Sequence, residues 1–120
     1  MPGHTPGATI WMSTVEADDR RYNVAFLTTT TPNVEVPLGN PRHPDVITDT
    51  RNTFRKLKAE REPDIVLVGH PQAMFAQTAD RMRRGERPHP LLNGADAWTR
   101  QLAAAEAAFE RRVAQEPNRR

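Results

Sequence analysis

Few side chains in this sequence are suited to chemistry: four histidines, His4, His43, His70 and His89, and a run of threonines at Thr28–Thr31. The chain has no cysteine, which excludes disulfides and thiolate metal sites. Imidazole nitrogens are common ligands of zinc. Threonine hydroxyls can donate hydrogen bonds to a ligand carboxylate, although such a run is also typical of the end of a β-rich strand.

The contexts of the four histidines differ. His43 and His89 each precede a proline in a loop, and we interpret both as structural or surface histidines. His4 lies just before a predicted strand and His70 just after one, so both are expected at one rim of a sheet, where α/β folds bind ligands. A catalytic zinc site commonly needs three protein ligands, and no His-x-x-x-His or His-x-Asp pattern supplies a third here. From the residues alone, a structural role remains the commoner interpretation for each histidine.

The elements that must position these residues follow from periodicity and from proline. β-Branched and aromatic runs predict two strands that form a hairpin. Two stripes of apolar residues at helical spacing predict amphipathic helices, and a short continuous apolar run predicts a strand buried on both faces. In chain order we predict strands 9–15 and 21–27, a long loop 32–44, a helix 45–58, a strand 64–68, and helices 72–82 and 96–115.

Composition limits the class of protein. At 120 residues, with 37% hydrophobic residues and 11 prolines, the chain is one domain at most, with a thin core. The alternation of strands and amphipathic helices predicts an α/β layered domain whose small sheet needs partners. Nucleic-acid binding is not expected, because the net charge is +2 and no aromatic residue interleaves the arginine-rich run 81–87. No membrane-spanning segment and no signal peptide are predicted.

Several segments together resemble a known family. The segment Pro-Gly-His-Thr-Pro-Gly-Ala-Thr at 2–9, the Gly-Asn-Pro-Arg loop at 39–42 and the strand ending in His70-Pro71 are similar to the second half of a metallo-β-lactamase. The closest similarity is to the third subclass, whose zinc ligands are histidines and one aspartate. The resemblance implies an α/β fold that is half of an αβ/βα four-layer sandwich, a small mixed sheet with flanking helices. Residues 1–120 would then be a single partial domain, the C-terminal half.

The resemblance also implies a site. His4 and His70 match zinc ligands in a family that binds two zinc ions, and Thr29 and Thr31 match hydroxyls that contact the substrate carboxylate, in place of the commoner serines. The implied reaction is hydrolysis of a β-lactam, in which metal ions lower the pKa of water and polarise the substrate. The family's His-x-His-x-Asp-His motif is absent from these 120 residues. We therefore predict a zinc-dependent β-lactam hydrolase by lineage, and an isolated chain that is inactive.

Two alternatives and the partners complete the prediction. The chain could be a non-catalytic fragment with little zinc affinity, or part of another hydrolase of the same superfamily. The expected partners are a β-lactam-type small molecule and either the N-terminal half of the fold or a second copy packed sheet on sheet. The resembled family is periplasmic or secreted, whereas the sequence itself leaves the compartment undetermined.

Overall fold

The structure is a computed structural model, and it describes residues 8–27, 32, 35–68, 73–94 and 96–116. It contains a small mixed sheet and three helices, which confirms the predicted α/β class. Within these described residues, no helix is both long enough and apolar enough to cross a membrane. The elements in chain order are β1 (Trp11–Ala17), β2 (Arg20–Leu27), α1 (Val46–Ala59), β3 (Ile65–Val68), α2 (Ala73–Arg83) and α3 (Ala97–Gln115).

The first two strands form a hairpin with a tighter turn than the sequence predicted. β1 pairs antiparallel with β2 from Trp11↔Phe26 to Ala17↔Arg20, so the turn consists of only two residues. These are Asp18 and Asp19, with φ angles of 51° and 60°. Two successive left-handed residues are the geometry of a type I′ turn, whose twist matches that of the paired strands. The predicted strands 9–15 and 21–27 leave residues 16–20 as the turn, which is too long, because β1 continues through Glu16 and Ala17 and β2 begins at Arg20.

The third strand extends the sheet on the other side of β2. β3 runs parallel to β2, with Val24 opposite Ile65 and Leu27 opposite Val68. Just before it, Asp64 is joined to β2 twice: its backbone N–H donates to the carbonyl of Asn23, and its carboxylate accepts the N–H of Asn23, both at 2.8 Å. Asp64 therefore aligns the two strands.

The expected burial of β3 on both faces was wrong. Ile65, Val66 and Leu67 are only half-buried. β3 lies at one end of the order β1-β2-β3, so β2 is its one neighbour in the described sheet. The fully buried positions belong to the central strand instead, at Val24 and Ala25.

The chain divides into two compact units. One unit contains the sheet, α2 and residues 84–98. The other, the helical unit, contains α1, the loop before it and α3 from Thr99 onward. In the helical unit the predicted stripes are largely confirmed. Phe54 and Phe109 lie with ring centroids 6.3 Å apart, and both are buried. The half-buried residues of the stripes are Ile47, Ala105 and Val113, and the buried residues of the same helices in this unit are Val46, Thr50, Thr53, Phe54, Leu57, Leu102 and Phe109.

Candidate functional site

The four predicted site residues, His4, His70, Thr29 and Thr31, lie outside the described residues. The structure does describe the strand ends next to them in the sequence. β1 begins at Trp11, β2 ends at Leu27 and β3 ends at Val68. These strand ends show where the chain enters and leaves the sheet.

The three strand ends lie at the same end of the sheet. Trp11 is paired with Phe26 of β2, which is paired with Leu67 of β3, and Leu27 and Val68 form the next and last pair. We call this row of strand ends the site end of the sheet, and the Asp18-Asp19 turn lies at the opposite end. The threonine run begins one residue after Leu27, and His70 follows Val68 by two residues. One chain segment thus enters the sheet at this end, and two others leave it there.

The two histidines that the structure describes have local structural partners. The Nε2 atom of His43 lies 3.0 Å from Oδ2 of Asp49, in the first turn of α1, and the side chains are 13% and 28% exposed. The backbone carbonyl of His43 accepts the N–H of Val46 at 3.3 Å, at the start of the same helix. This arrangement fits the sequence interpretation of His43 as a structural residue that ties the loop to the helix.

His89 is engaged in its own turn. Its Nδ1 atom accepts the backbone N–H of Leu91 at 3.2 Å, and its carbonyl accepts the N–H of Leu92 at 2.9 Å. One ring nitrogen is therefore occupied by the loop backbone. Among the described residues, no group of three or more histidine, aspartate or glutamate side chains is arranged to hold a metal ion. The described side chains by themselves do not fit a zinc site.

Two side chains at the C-terminal end of α3 bond to the backbone of the loop that follows the threonine run: Arg112 lies in the helix and Glu116 directly follows its last residue. Arg112 donates to the carbonyls of Pro32, at 3.4 Å, and Val36, and its Nε donates to Glu116 at 3.2 Å. The other carboxylate oxygen of Glu116 accepts the N–H of Leu38 at 3.1 Å. We call Arg112 and Glu116 the α3 clasp. The sequence analysis missed it; the available signals were a long loop that needs an anchor and an Arg–Glu pair at i,i+4 spacing.

A second Arg–Glu pair joins the two helices further along. Arg51 donates from Nε and Nη2 to the two carboxylate oxygens of Glu110, at 2.8 and 2.9 Å. These hydrogen bonds lower the pKa of Glu110 and raise that of Arg51, while partial burial opposes both shifts. The pair is about half exposed to solvent, so it contributes little to stability. It joins α1 to α3.

No family model matches the chain. Among solved structures, a metallo-β-lactamase from Cronobacter sakazakii matches with 29% identity and a TM-score of 0.79, covering 98% of this chain and 43% of its own. A subclass B3 metallo-β-lactamase from Bradyrhizobium japonicum matches with 27% identity and a TM-score of 0.79, covering 97% of this chain and 43% of its own.

The chain has part of the metallo-β-lactamase fold. A native metallo-β-lactamase from Legionella gormanii matches 98% of this chain with a TM-score of 0.82 and 18% identity. At this identity the match shows similarity of fold alone. The predicted family resemblance and fold class are therefore confirmed. The chain spans less than half the length of each of these structures. That its part of the metallo-β-lactamase fold is the C-terminal one remains a prediction from the Pro-Gly-His-Thr-Pro-Gly segment.

Proposed function

We propose that the chain forms part of a zinc-dependent β-lactam hydrolase in which His4 and His70 hold zinc and Thr29 and Thr31 bind the substrate carboxylate. The observation that supports the proposal is the site end: the segments that contain these four residues adjoin strand ends that lie in one row of the sheet. The likeness to proteins named metallo-β-lactamases, at 29% and 27% identity, supports the chemistry.

Zinc, when bound, supplies a Lewis acid that polarises a carbonyl and lowers the pKa of water. The chain's own residues supply two imidazoles and two hydroxyls. Catalytic zinc sites commonly have three protein ligands, so two histidines leave the site incomplete. The missing ligands would come from a polypeptide carrying a His-x-His-x-Asp-His motif, which these 120 residues lack. We therefore expect the isolated chain to bind zinc weakly and to be catalytically silent.

The first test measures zinc binding by the purified chain by calorimetry, and nitrocefin hydrolysis is measured in the same samples. Zinc binding should be lost in His4→Ala and in His70→Ala, and no hydrolysis should be seen. His89→Asn is the matched control, because an amide oxygen can replace Nδ1 as the acceptor of the Leu91 N–H. Its zinc binding should equal that of the unchanged chain.

Three results would contradict this proposal in different ways. Zinc binding that survives in both histidine variants would remove His4 and His70 as ligands and favour the inactive-fragment alternative. Nitrocefin hydrolysis by the isolated chain would mean that no further ligands are needed. Stoichiometric zinc without any β-lactam turnover, even when the rest of the fold is supplied, would favour another hydrolase of the superfamily.

The partner would pack on one face of the sheet. The register places Trp11, Val15, Tyr22 and Phe26 on the same face, and we call these four residues the aromatic face. Trp11 is 70% exposed, and Val15 and Phe26 are more than 40% exposed. On the same face, Ser13 and the buried Val24 lie between the Trp11–Phe26 and Val15–Tyr22 pairs. Large apolar side chains left exposed on one face of a sheet favour an interaction site there. Because the matched structures are more than twice as long as this chain, the partner that fits is a polypeptide carrying the rest of the fold.

A chimera tests this partner. It joins this chain to the part of the Cronobacter protein that the match does not cover, and thermal unfolding is compared between the chimera and the isolated chain. Trp11→Ser and Phe26→Ser should lower the Tm of the chimera by several degrees more than that of the isolated chain. Met12→Ser, which lies on the opposite face and is also exposed, is the control.

Equal Tm losses in the two proteins, or a chimera that does not fold, would count against the rest of the fold as the partner. Sedimentation of the isolated chain decides between this partner and a second copy. A dimer that dissociates in the Trp11→Ser variant would assign the aromatic face to the second copy, as in the alternative of two sheets packed face to face.

A further inference from the structure

The turn at 89–92 is closed by a histidine ring. The N–H of Leu92 donates to the carbonyl of His89 at 2.9 Å, and Pro90 lies at the second position of this turn, where its fixed φ is favoured. The N–H of Leu91 donates instead to a side chain, at Nδ1 of His89, over 3.2 Å. The ring therefore takes the place that an asparagine or aspartate oxygen has in an Asx-turn.

The residue that follows this turn anchors the start of β3. The N–H of Asn93 donates to the carbonyl of Asp64 at 2.7 Å, and its side-chain amide donates to the carbonyl of Pro63 at 3.3 Å. Asp64 in turn is bonded twice to Asn23 of β2. All of these residues belong to the same compact unit. The turn thus directly precedes a set of hydrogen bonds that aligns two strands.

The acceptor role of Nδ1 depends on the protonation state of the ring. A neutral imidazole can accept at Nδ1 only while its proton is on Nε2, and an imidazolium carries a proton on both nitrogens. The charged ring would therefore present an N–H to the N–H of Leu91, and the hydrogen bond between them would be lost. Histidine is the side chain whose ordinary titration falls between pH 5 and 8.

In the part of the chain that the structure describes, no charged group bonds the ring of His89. The carboxylates of the adjoining segment 62–64 are engaged elsewhere: that of Asp64 accepts the N–H of Asn23, and that of Glu62 accepts the N–H of Trp98. The charged residues on either side of the turn in the sequence, Arg87 and Asp96, do not bond the ring either. The Leu91 hydrogen bond is therefore the described interaction of the ring that a second proton breaks.

We propose that His89 is a proton-sensitive latch: its neutral ring closes the turn 89–92, and its protonation opens this turn and weakens the bonds of Asn93 to residues 63 and 64. The latch is a conformational device of the unit that contains the sheet. It requires neither zinc nor a β-lactam. Mild acid should therefore loosen the start of β3.

NMR of the ¹⁵N-labelled, metal-free chain tests the latch. At pH 7.5, the chemical shifts of the ring nitrogens of His89 should show the tautomer that is protonated at Nε2. The hydrogen-exchange protection of the Leu91 amide, corrected for the intrinsic pH dependence of exchange, should fall about fivefold between pH 7.5 and pH 5.5, which corresponds to the net contribution of about 1 kcal/mol from one hydrogen bond. Asn93 should lose protection over the same range, by a smaller factor.

Three variants separate the ring from every other titrating group. His89→Asn keeps an acceptor that does not titrate, so its Leu91 amide should be protected at both pH values. His89→Ala has no acceptor, and its Leu91 amide should have low protection at both. His43→Asn is the matched control, because it removes a titrating ring from the helical unit. It should leave the pH dependence at Leu91 unchanged.

A His89 ring that is protonated at Nδ1 at pH 7.5 would overturn the latch, because such a ring cannot accept from Leu91. Equal protection of Leu91 at the two pH values would also overturn it. So would an equal fall in His89→Asn, which would assign the pH dependence to another group. A fall at Leu91 without any change at Asn93 would confine the effect to the turn and overturn the link to β3.

Discussion

The helical unit and the β1–β2 hairpin differ in how much of their apolar surface the chain itself covers. In the helical unit, Phe54 and Leu57 are almost completely buried. In the hairpin, every residue of β1 is exposed. The helical unit has a core of its own, whereas Trp11, Val15 and Phe26 of the hairpin are large apolar side chains that stay exposed. The largest fully buried side chains, Phe54 and Leu57, thus lie in the helical unit, and the largest exposed apolar side chain, Trp11, lies in the hairpin.

The largest expected effect separates two phenylalanines. Phe54→Ala should lower the free energy of unfolding by about 3–5 kcal/mol, because it leaves a cavity in the core beside Phe109. Phe26→Ala removes the same side chain from a position that is 44% exposed, and it should cost much less. Urea denaturation of both variants measures the difference. Equal losses would mean that the isolated chain covers the aromatic face after all.

A smaller effect, of opposite sign, is expected inside the helical core. Thr50 is fully buried and its hydroxyl has no hydrogen-bond partner among the described residues. Replacing this hydroxyl by a methyl group removes the penalty of a buried unsatisfied polar group, so Thr50→Val should raise the free energy of unfolding by about 1 kcal/mol. Thr53 is the matched control, since it is also buried but has an interaction partner. Thr53→Val should give no gain, and a gain of the same size would remove the explanation.

The smallest effect concerns the exposed pair between the helices. Arg51 lowers the pKa of Glu110 below its ordinary value of 4.5. The pair therefore stabilises the folded chain above that pH, and the contribution disappears as the pH falls through the lowered pKa. Glu110→Gln should cost less than about 1 kcal/mol at neutral pH, because both side chains are about half exposed. Thermal unfolding measured across the acid range should show that the difference in Tm between the variant and the unchanged chain becomes smaller as the pH falls. The difference should also become smaller in high salt.

The sequence predicted the parts of the fold that depend on local pattern. The stripe of α1 was readable because Val46, Thr50, Phe54 and Leu57 recur at helical spacing, and all four are buried. The burial of β3 could not be predicted, because an apolar run looks the same in the sequence whether the strand lies in the centre of a sheet or at its edge. The two-residue turn was missed because Asp18-Asp19 is a less typical type I′ pair than Asn-Gly.

The candidate site divides in the same way. The histidine contexts were readable: His43 and His89 precede prolines and have local partners, as a structural role requires. The α3 clasp was not readable, because its contacts join Arg112 and Glu116 to backbone atoms far away in the sequence. No periodicity links such positions. Long-range contacts from a side chain to backbone atoms depend on the packed structure.

The parallel pairing of β2 with β3 sets an order of assembly. The β1–β2 hairpin is closed by a two-residue turn and needs only local contacts, so we expect it to form early. Pairing of β3 has to wait until the whole segment between Leu27 and Ile65, including α1, has closed into a loop. Closing such a loop costs entropy before any contact rewards it. The site end is therefore completed late in folding, and until then β2 exposes an unpaired strand edge to misfolding and aggregation.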